Sequence, residues 1–260
     1  AQRIIDRLSA PLTIESCLIK TGTSIGIAFY PDDETAIEEL MRKADLALYQ
    51  AKSNGRGAYQ LYDDAMHTEV RKHKSLVNDL RLAVVREEFE AHYHPQFDLA
   101  TGCIKGVEAL ARWRRPGHGL AFPDTFIAVA EASGLIKALG EAILRAACRQ
   151  AKAWQDAGRE PWRVAVNVSV HQIQAGDLAE RVQETLEETG LDPRWLELEI
   201  TESALMRTED PIDSLTQLRD LGIDLSIDDF GTGYASLAQL KRLPVQRLKI
   251  DRSFIANITK

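Results

Sequence analysis

The chain has 260 residues, of which 45% are hydrophobic and 27% charged, and its formal net charge is −7. These values indicate one or two globular domains and exclude a disordered chain. The negative charge argues against a nucleic-acid surface, because a phosphate backbone requires a basic footprint. It is compatible with a small phosphate-bearing substrate, provided that metal ions supply the positive charge.

Two further features concern the compartment. The three cysteines have no zinc-type spacing, and the sequence has no uninterrupted apolar run of membrane-spanning length, so we expect free thiols in the cytoplasm. The chain begins at Ala1 and stops at Lys260 in what reads as mid-fold, so we expect it to be a piece of a longer protein. Whether that protein is tethered to a membrane through its N-terminal region is left open.

Residues 1–62 predict a small α+β unit. Two or three strands and one long helix are too few for a complete domain, because they leave a face and an edge of the sheet uncovered. The predicted elements are a helix end over 1–8, strands Leu12–Glu15 and Ile19–Tyr30, a helix from Ala36 to about Lys52, and a strand Gly57–Tyr62.

Residues 63–85 predict a charged helical linker. Acidic and basic side chains are balanced along it, which is typical of a solvated helix face and not of a nucleic-acid contact.

From Phe89 onward, strands and helices alternate in units of roughly thirty residues, which is typical of a parallel sheet, closed or open. The predicted strands are Ala91–Leu99, Cys103–Trp113, Arg163–Val168, Trp195–Ile200, Ile223–Ile227 and Val245–Ile250. The predicted helices are Pro123–Ser133, Leu135–Ala157, one that ends at Gly190, Ile212–Leu221 and Ala235–Leu243.

Five of these strands carry a polar residue near the C-terminal end, where barrel enzymes place their chemistry. The adjacent Asp228 and Asp229 are the most conspicuous of these residues. By themselves they fit two explanations equally well: a metal site, or one aspartate that caps the next helix beside another that is solvated. Five such strands together predict a metal site with oxygen ligands. The residues are Glu108, Asn167, Glu199 and Glu202, Asp228 and Asp229, and Lys249 and Asp251.

Oxygen ligands favour Mg²⁺, Mn²⁺ or Ca²⁺ over zinc, and the carboxylates suffice for two ions that share an aspartate. Such a pair stabilises the attacking and leaving oxygens of a displacement at phosphorus. Lys249 can hold the attacking water or neutralise a phosphoryl oxygen, and Arg112 can clamp a phosphate. A structural role for Lys249 and a surface role for Arg112 stay open, and Glu202 reads better as a brace than as a ligand.

Several motifs resemble a known family. The segments EALARW, NVS, LELEITES and SIDDFGTGYASLAQLKRLPVQRLKIDRSFI are similar to the EAL family of cyclic di-GMP phosphodiesterases. The upstream SIGIAFYP and ADLALYQAKSNGRGAYQLY resemble the C-terminal half of a GGDEF diguanylate cyclase domain. The resemblance implies a partial α+β GGDEF domain over 1–62, the linker 63–85, and over 86–260 a TIM-like (β/α)8 barrel that lacks its last strands.

The resemblance also implies roles for particular residues. Lys249 would lie near the attacking water, and Glu202 would brace the DDFGTGY loop, which in the family lies near a dimer face. The reaction implied is hydrolysis of cyclic di-GMP to linear pGpG with Mg²⁺ or Mn²⁺. The implied metal ligands are Glu108, Asn167, Glu199, Asp228 and Asp229; the implied dinucleotide contacts are Leu110, Arg112 and His94; the implied cyclase phosphate contacts are Lys52 and Arg56.

The number of metal ions that the resemblance implies is two, bound by the ligands just named. A homodimer formed through the EAL domain is the implied assembly, and no nucleic acid is involved.

The sequence departs from the family pattern in three places. The barrel's last strands are absent, and with them a later Glu and Gln that the family uses near the metals, so we expect activity from the complete parent protein and not from this piece alone. His94 stands where the family usually has Gln, before Pro95. The GGDEF signature itself is absent, so we expect no cyclase activity from this chain. The alternative to a phosphodiesterase is a catalytically silent EAL module that binds cyclic di-GMP or a protein partner. Silent modules tend to lose metal carboxylates or the lysine, and here each of the ligands named above and Lys249 are present, which favours the enzyme.

Overall fold

The structure of the protein, a computed structural model, describes residues 1–14, 17–19, 21–53, 55–206, 212–232 and 240–256. The chain divides into two compact units, Ala1–Leu76 and Val77–Lys260. The boundary falls inside one helix, α3 (Ala65–Val85), which agrees with the helix predicted over 63–85. No helix in these described ranges is both long enough and apolar enough to span a membrane.

The first unit contains two small sheets. Strands β1 (Leu12–Ile14) and β2 (Cys17–Ile19) form an antiparallel hairpin, and β3 (Ile25–Ile27) pairs in parallel with β4 (Tyr59–Leu61). The single strand predicted over Ile19–Tyr30 is therefore wrong. A strand extends only as far as its partner, and β4 offers β3 three residues. The helices of this unit are α1 (Gln2–Leu8) and α2 (Ile37–Ser53).

The second unit is built on a mixed sheet of seven strands. Its order is β5-β6-β8-β9-β10-β11, with β7 paired to β6. Strands β5 and β7 run antiparallel to β6, whereas β6, β8, β9, β10 and β11 run parallel to one another. The strands are β5 (Phe89–Phe97), β6 (Ile104–Arg115), β7 (Gly119–Ala121), β8 (Arg163–Val168), β9 (Leu196–Thr201), β10 (Asp224–Phe230) and β11 (Arg247–Ile250).

Helices connect the parallel strands. The predicted helix that ends at Gly190 is in fact two helices, because Gly176 has a φ of 80° and interrupts the segment. The predicted Ala235–Leu243 helix falls largely outside the described residues. The helices are α4 (Pro123–Ala132), α5 (Ile136–Asp156), α6 (Val170–Gln174), α7 (Leu178–Thr189), α8 (Glu202–Met206), α9 (Ile212–Asp220) and α10 (Arg252–Ile255).

Alternation along the strands separates the hydrophobic core from the candidate site. In β9, Leu198 and Ile200 are buried on one face, whereas Glu197 and Glu199 share the opposite face and are buried as well. Buried carboxylates require partners, so this second face must contain positive charge. Strands β5 and β11 lie at the two ends of the described sheet, and closure into a barrel stays a prediction.

Candidate active site

Four parallel strands bring predicted site residues to one place. Asn167 in β8 lies directly beside Glu199 in β9, which in turn pairs with Ser226 in β10. Asp228 is two residues beyond Ser226, so its side chain leaves the sheet on the same face. Glu108 is the fifth residue of twelve in β6 and not its last, but the parallel ladder with β8 ends one residue later, at Ala109.

Three carboxylates from these strands form a cluster. One oxygen each of Glu108, Glu199 and Asp228 lies within 4.8 Å of the others. The Lys249 Nζ contacts all three, at 3.4 Å from Glu108 Oε2, 2.5 Å from Glu199 Oε2 and 3.3 Å from Asp228 Oδ2. The Asn167 amide nitrogen donates a hydrogen bond of 2.9 Å to Glu108 Oε1. Five of the predicted site residues are therefore brought together.

The charges in this cluster do not balance. Three carboxylates face one ammonium group, and Glu199 is 1% exposed. Burial raises the pKa of Glu199 to about 7, against an ordinary 4.5, although Lys249 lowers it. Burial alone would lower the pKa of Lys249, but the hydrogen bond and charge of Glu199 raise it above its ordinary value. Lys249 is consequently charged at neutral pH.

The residues present fit a hard divalent cation. Glu199 Oε1 is buried and has no hydrogen-bond partner among the described residues. A carboxylate oxygen in that position lacks the stabilisation that water or a donor would give it. A Mg²⁺ or Mn²⁺ ion would satisfy this oxygen and the excess negative charge together, and the Asn167 amide can present its oxygen by rotating.

Asp229 stands apart from the carboxylate cluster. Asp229 is exposed and has a φ of 52°, and its backbone N–H donates a hydrogen bond of 3.0 Å to Asp228 Oδ1. Partial desolvation, followed by the charges of Asp228 and Asp251, raises its pKa. A role for Asp229 as ligand of a second ion stays a prediction.

Glu202 lies beneath the loop that follows β10. It is the first residue of α8, a helix that the sequence did not predict, and it is 2% exposed. Its Oε2 accepts a hydrogen bond of 2.8 Å from the Gly231 backbone N–H. The role of Glu202 as a brace for this loop stays a prediction; Gly233, further along the loop, lies outside the described residues.

The predicted dinucleotide contacts share the face of Glu108. His94 in β5 lies directly opposite Glu108, and Leu110 and Arg112 follow Glu108 at alternate positions of β6. The Arg112 guanidinium lies over the Phe122 ring at 4.8 Å, and its Nε is buried with no hydrogen-bond partner among the described residues. A role for Arg112 in binding a phosphate stays a prediction.

A cavity of about 430 Å³ adjoins this face. Leu110 and Asn167 contribute to its wall, so it opens beside the carboxylate cluster. Its lining is mainly apolar, with polar groups from the turn after β8 and from α8.

The predicted cyclase residues lie in the first unit. Lys52 is exposed in the last turn of α2, and Arg56 is exposed with a φ of 61°. Their role in phosphate contact stays a prediction.

Two family models match the chain. The EAL domain model matches residues 77–260, which is more than half of the chain. The chain belongs to the EAL domain family. The model for the diguanylate cyclase GGDEF domain matches residues 1–58 ahead of it.

Curated relatives match almost the whole of this chain and are longer than it. The bifunctional diguanylate cyclase/cyclic di-GMP phosphodiesterase MucR of Pseudomonas aeruginosa is 43% identical over 98% of this chain and 37% of its own length. The cyclic di-GMP phosphodiesterase NbdA of the same organism is 42% identical over 99% of this chain and 33% of its own length. The chain therefore spans about a third of the length of these curated relatives.

A solved structure supports the fold. The structure described as the PaMucR phosphodiesterase in complex with c-di-GMP has a TM-score of 0.68 and 46% sequence identity, and the match covers 71% of this chain and 75% of that one. The EAL assignment thus rests on sequence and on structure.

Proposed function

We propose that this EAL domain hydrolyses one phosphodiester bond of cyclic di-GMP and releases linear pGpG, with two Mg²⁺ or Mn²⁺ ions. The observation that carries the proposal is the cluster of Glu108, Glu199 and Asp228 around Lys249, with an unsatisfied buried oxygen on Glu199. The names of MucR and NbdA, which match almost the whole chain, support the choice of substrate.

The first proposed role of the site residues is to bind the metal ions. Bound divalent ions would activate the attacking water and stabilise the charge that develops on the phosphoryl oxygens. Glu108, Asn167, Glu199 and Asp228 would hold those ions, with Asp229 as the proposed additional ligand. Their positions on neighbouring strands supply a rigid support.

Lys249 acts as a positively charged donor in this scheme. In the metal-free protein the hydrogen bond and charge of Glu199 raise the pKa of Lys249, so the side chain is an ammonium group there. It can hold the attacking water and neutralise a phosphoryl oxygen beside the carboxylates that it contacts.

Arg112 contacts a different part of the substrate. It lies four residues beyond Glu108 in β6, a separation of about 13 Å along an extended strand. Its guanidinium would therefore bind a phosphate or base away from the scissile bond, with Leu110 and His94 beside the dinucleotide. Glu202 would hold the loop after β10, and through it a homodimer of EAL domains.

The alternative is a catalytically silent EAL module that binds cyclic di-GMP or a protein partner as a regulator. The three carboxylates that contact Lys249 favour the enzyme. We place either activity in the cytoplasm, and we assign no cyclase activity to residues 1–58.

Turnover of cyclic di-GMP tests the proposal. The protein, with its natural flanking sequence, is incubated with Mn²⁺ or with EDTA, and pGpG is quantified by chromatography. We expect pGpG only with the metal. Glu108→Ala should reduce kcat by about 100-fold or more, because a direct ligand is lost. The exposed helical Glu180→Ala is the matched control and should retain full activity.

Two outcomes would contradict the enzyme. Binding of cyclic di-GMP without pGpG above the EDTA control favours the silent module. Full activity of Glu108→Ala would show that the ligand assignment is wrong.

A further inference from the structure

The turn after β8 is held by side chains from two other segments. Ser169 is the N-cap of α6, and its Oγ donates a hydrogen bond of 2.6 Å to Glu131 Oε1 in α4. The Ser169 backbone N–H donates to Gln172 Oε1 at 3.1 Å, and Ser169 Oγ also accepts from the His171 N–H at 3.3 Å. We call Glu131, Ser169 and Gln172 the turn brace.

Helix α5 confines the turn brace from a third side. A Cβ placed on Gly140 would lie 2.3 Å from Gln172 Nε2, a separation that real Cβ atoms do not show. The Gln172 amide therefore packs directly on the backbone of Gly140, and its oxygen is directed to the Ser169 N–H. Helices α4 and α5 thus both determine where this turn lies.

The turn brace begins where the sheet stops supporting the chain. The ladder between β8 and β9 ends at the pair Val168 and Ile200, one residue before Ser169. Asn167 is two residues before Ser169 and reaches the carboxylate cluster through Glu108. Without the turn brace, the Val168–Ile200 pair would be the last contact of the β8–β9 ladder to fix the backbone after Asn167.

We propose that the turn brace positions Asn167 for metal binding, and that Glu131 and Ser169 are positioning residues for the site although neither belongs to the carboxylate cluster. The proposal rests on the metal-dependent function proposed above. Loss of such supporting partners typically weakens metal binding by about 10-fold to 100-fold. The effect should appear in metal affinity more than in the rate at saturating metal.

The experiment measures Mn²⁺ binding by isothermal titration calorimetry, without substrate, on the protein with its natural flanking sequence. Ser169→Ala and Glu131→Ala should each raise the Kd for Mn²⁺ by about 10-fold. Glu131→Gln keeps an oxygen acceptor for Ser169 Oγ and should restore binding to within about 3-fold of the unaltered protein. In turnover assays, excess Mn²⁺ should restore most of the kcat of Ser169→Ala.

Asp192→Ala is the matched control. Asp192 Oδ1 caps the short 3₁₀-helix Pro193–Trp195 through the Arg194 N–H at 3.1 Å, at the amino end of β9 and away from the cluster. It should lower the thermal unfolding temperature of the metal-free protein as Ser169→Ala does, with no change in the Kd for Mn²⁺.

Two results would overturn the inference: unaltered Mn²⁺ affinity in both Ser169→Ala and Glu131→Ala, or an equal loss of affinity in Asp192→Ala. Glu131→Ala leaves the Ser169 cap of α6 intact. Its affinity for Mn²⁺ therefore tests the inference if Ser169→Ala does not fold. Failure of the proposed function is distinguishable, because it would show as Mn²⁺ binding without pGpG, or as no Mn²⁺ binding by the unaltered protein.

Discussion

Glu197 and Glu199 lie two residues apart on one face of β9, and we predict opposite effects on stability when each is changed to Gln. Glu197 belongs to a balanced network: it pairs with Arg247, and Asp224 Oδ2 lies 3.0 Å from both Arg247 and Arg163. Glu199 belongs to an unbalanced cluster of three carboxylates and one lysine. Removing the charge of Glu197 therefore leaves its network with an excess of positive charge. Removing the charge of Glu199 reduces the excess of negative charge in its cluster.

The magnitude for Glu197→Gln follows from its burial. Glu197 is 3% exposed, and its loss of charge leaves two guanidinium groups with Asp224 as the carboxylate that both contact. Removal of one partner from a buried ion pair costs about 3–5 kcal/mol. The two arginine side chains are 38% and 32% exposed, so water offsets part of this cost. We expect a loss of about 2–3 kcal/mol in the free energy of unfolding.

For Glu199→Gln we expect a gain, and not a loss, in the free energy of unfolding of the metal-free protein. Burial raises the folded-state pKa to about 7 from 4.5, so the folded state binds the proton more tightly than the unfolded state. The stability of the unaltered protein therefore falls as the pH rises from about 4.5 to about 7. Gln stays neutral, so the variant should be more stable at pH 8 by at most about 3 kcal/mol, and should lose this advantage at pH 4.5.

Urea unfolding in EDTA at pH 8 and at pH 4.5 measures both effects, and Mn²⁺ addition supplies the functional contrast. Mn²⁺ should stabilise the unaltered protein and Glu197→Gln, but not Glu199→Gln, because only the last loses a ligand. Equal destabilisation by the two substitutions at pH 8 would refute the reasoning, since it would show that the partners across the strands do not set the role of each glutamate.

Three further predictions concern the loop and the substrate face. Glu202→Ala removes the acceptor for the Gly231 N–H and should lower kcat by about 10-fold with little change in Mn²⁺ affinity, as steady-state kinetics and calorimetry can show. Gly231→Ala should destabilise the protein by at least about 1–2 kcal/mol in thermal unfolding, because φ is 100° and a Cβ would lie 2.5 Å from the Phe254 ring. Arg112→Lys should raise KM by about 10-fold with kcat nearly unchanged, because an ammonium group cannot reproduce the planar stacking on Phe122; an unchanged KM would contradict the phosphate role.

The order of elements in the second unit could be predicted because its signals are local. Hydrophobic alternation in β9 and the long apolar face of α5 each lie within one segment, and both agree with the structure. Helix α8 was missed because its five residues are too short for helical periodicity to show. In the first unit, the strand predicted over Ile19–Tyr30 failed because strand length there depends on a partner more than thirty residues away.

The turn brace shows the same limit within the site. The spacing of Ser169 and Gln172 matches the sequence pattern of a capping box, so the cap itself was available to sequence reasoning. The contribution of Glu131 could not be predicted from the sequence. Glu131 lies 38 residues earlier and contacts Ser169 only when α4 packs beside the turn.

The sequence by itself determined which chemical groups are present: an oxygen-rich ligand set, one lysine to accompany it, and strands that alternate between core and site. It placed Glu199 nearer than Glu197 to the C-terminal end of the strand, but it did not show which charges would lie beside either residue. Only the tertiary structure shows those charges, since it places the Arg247 guanidinium beside Glu197 and the Lys249 ammonium group beside Glu199. The physical reason is that a carboxylate takes its role from the charges around it, and those charges come from strands 50 residues away.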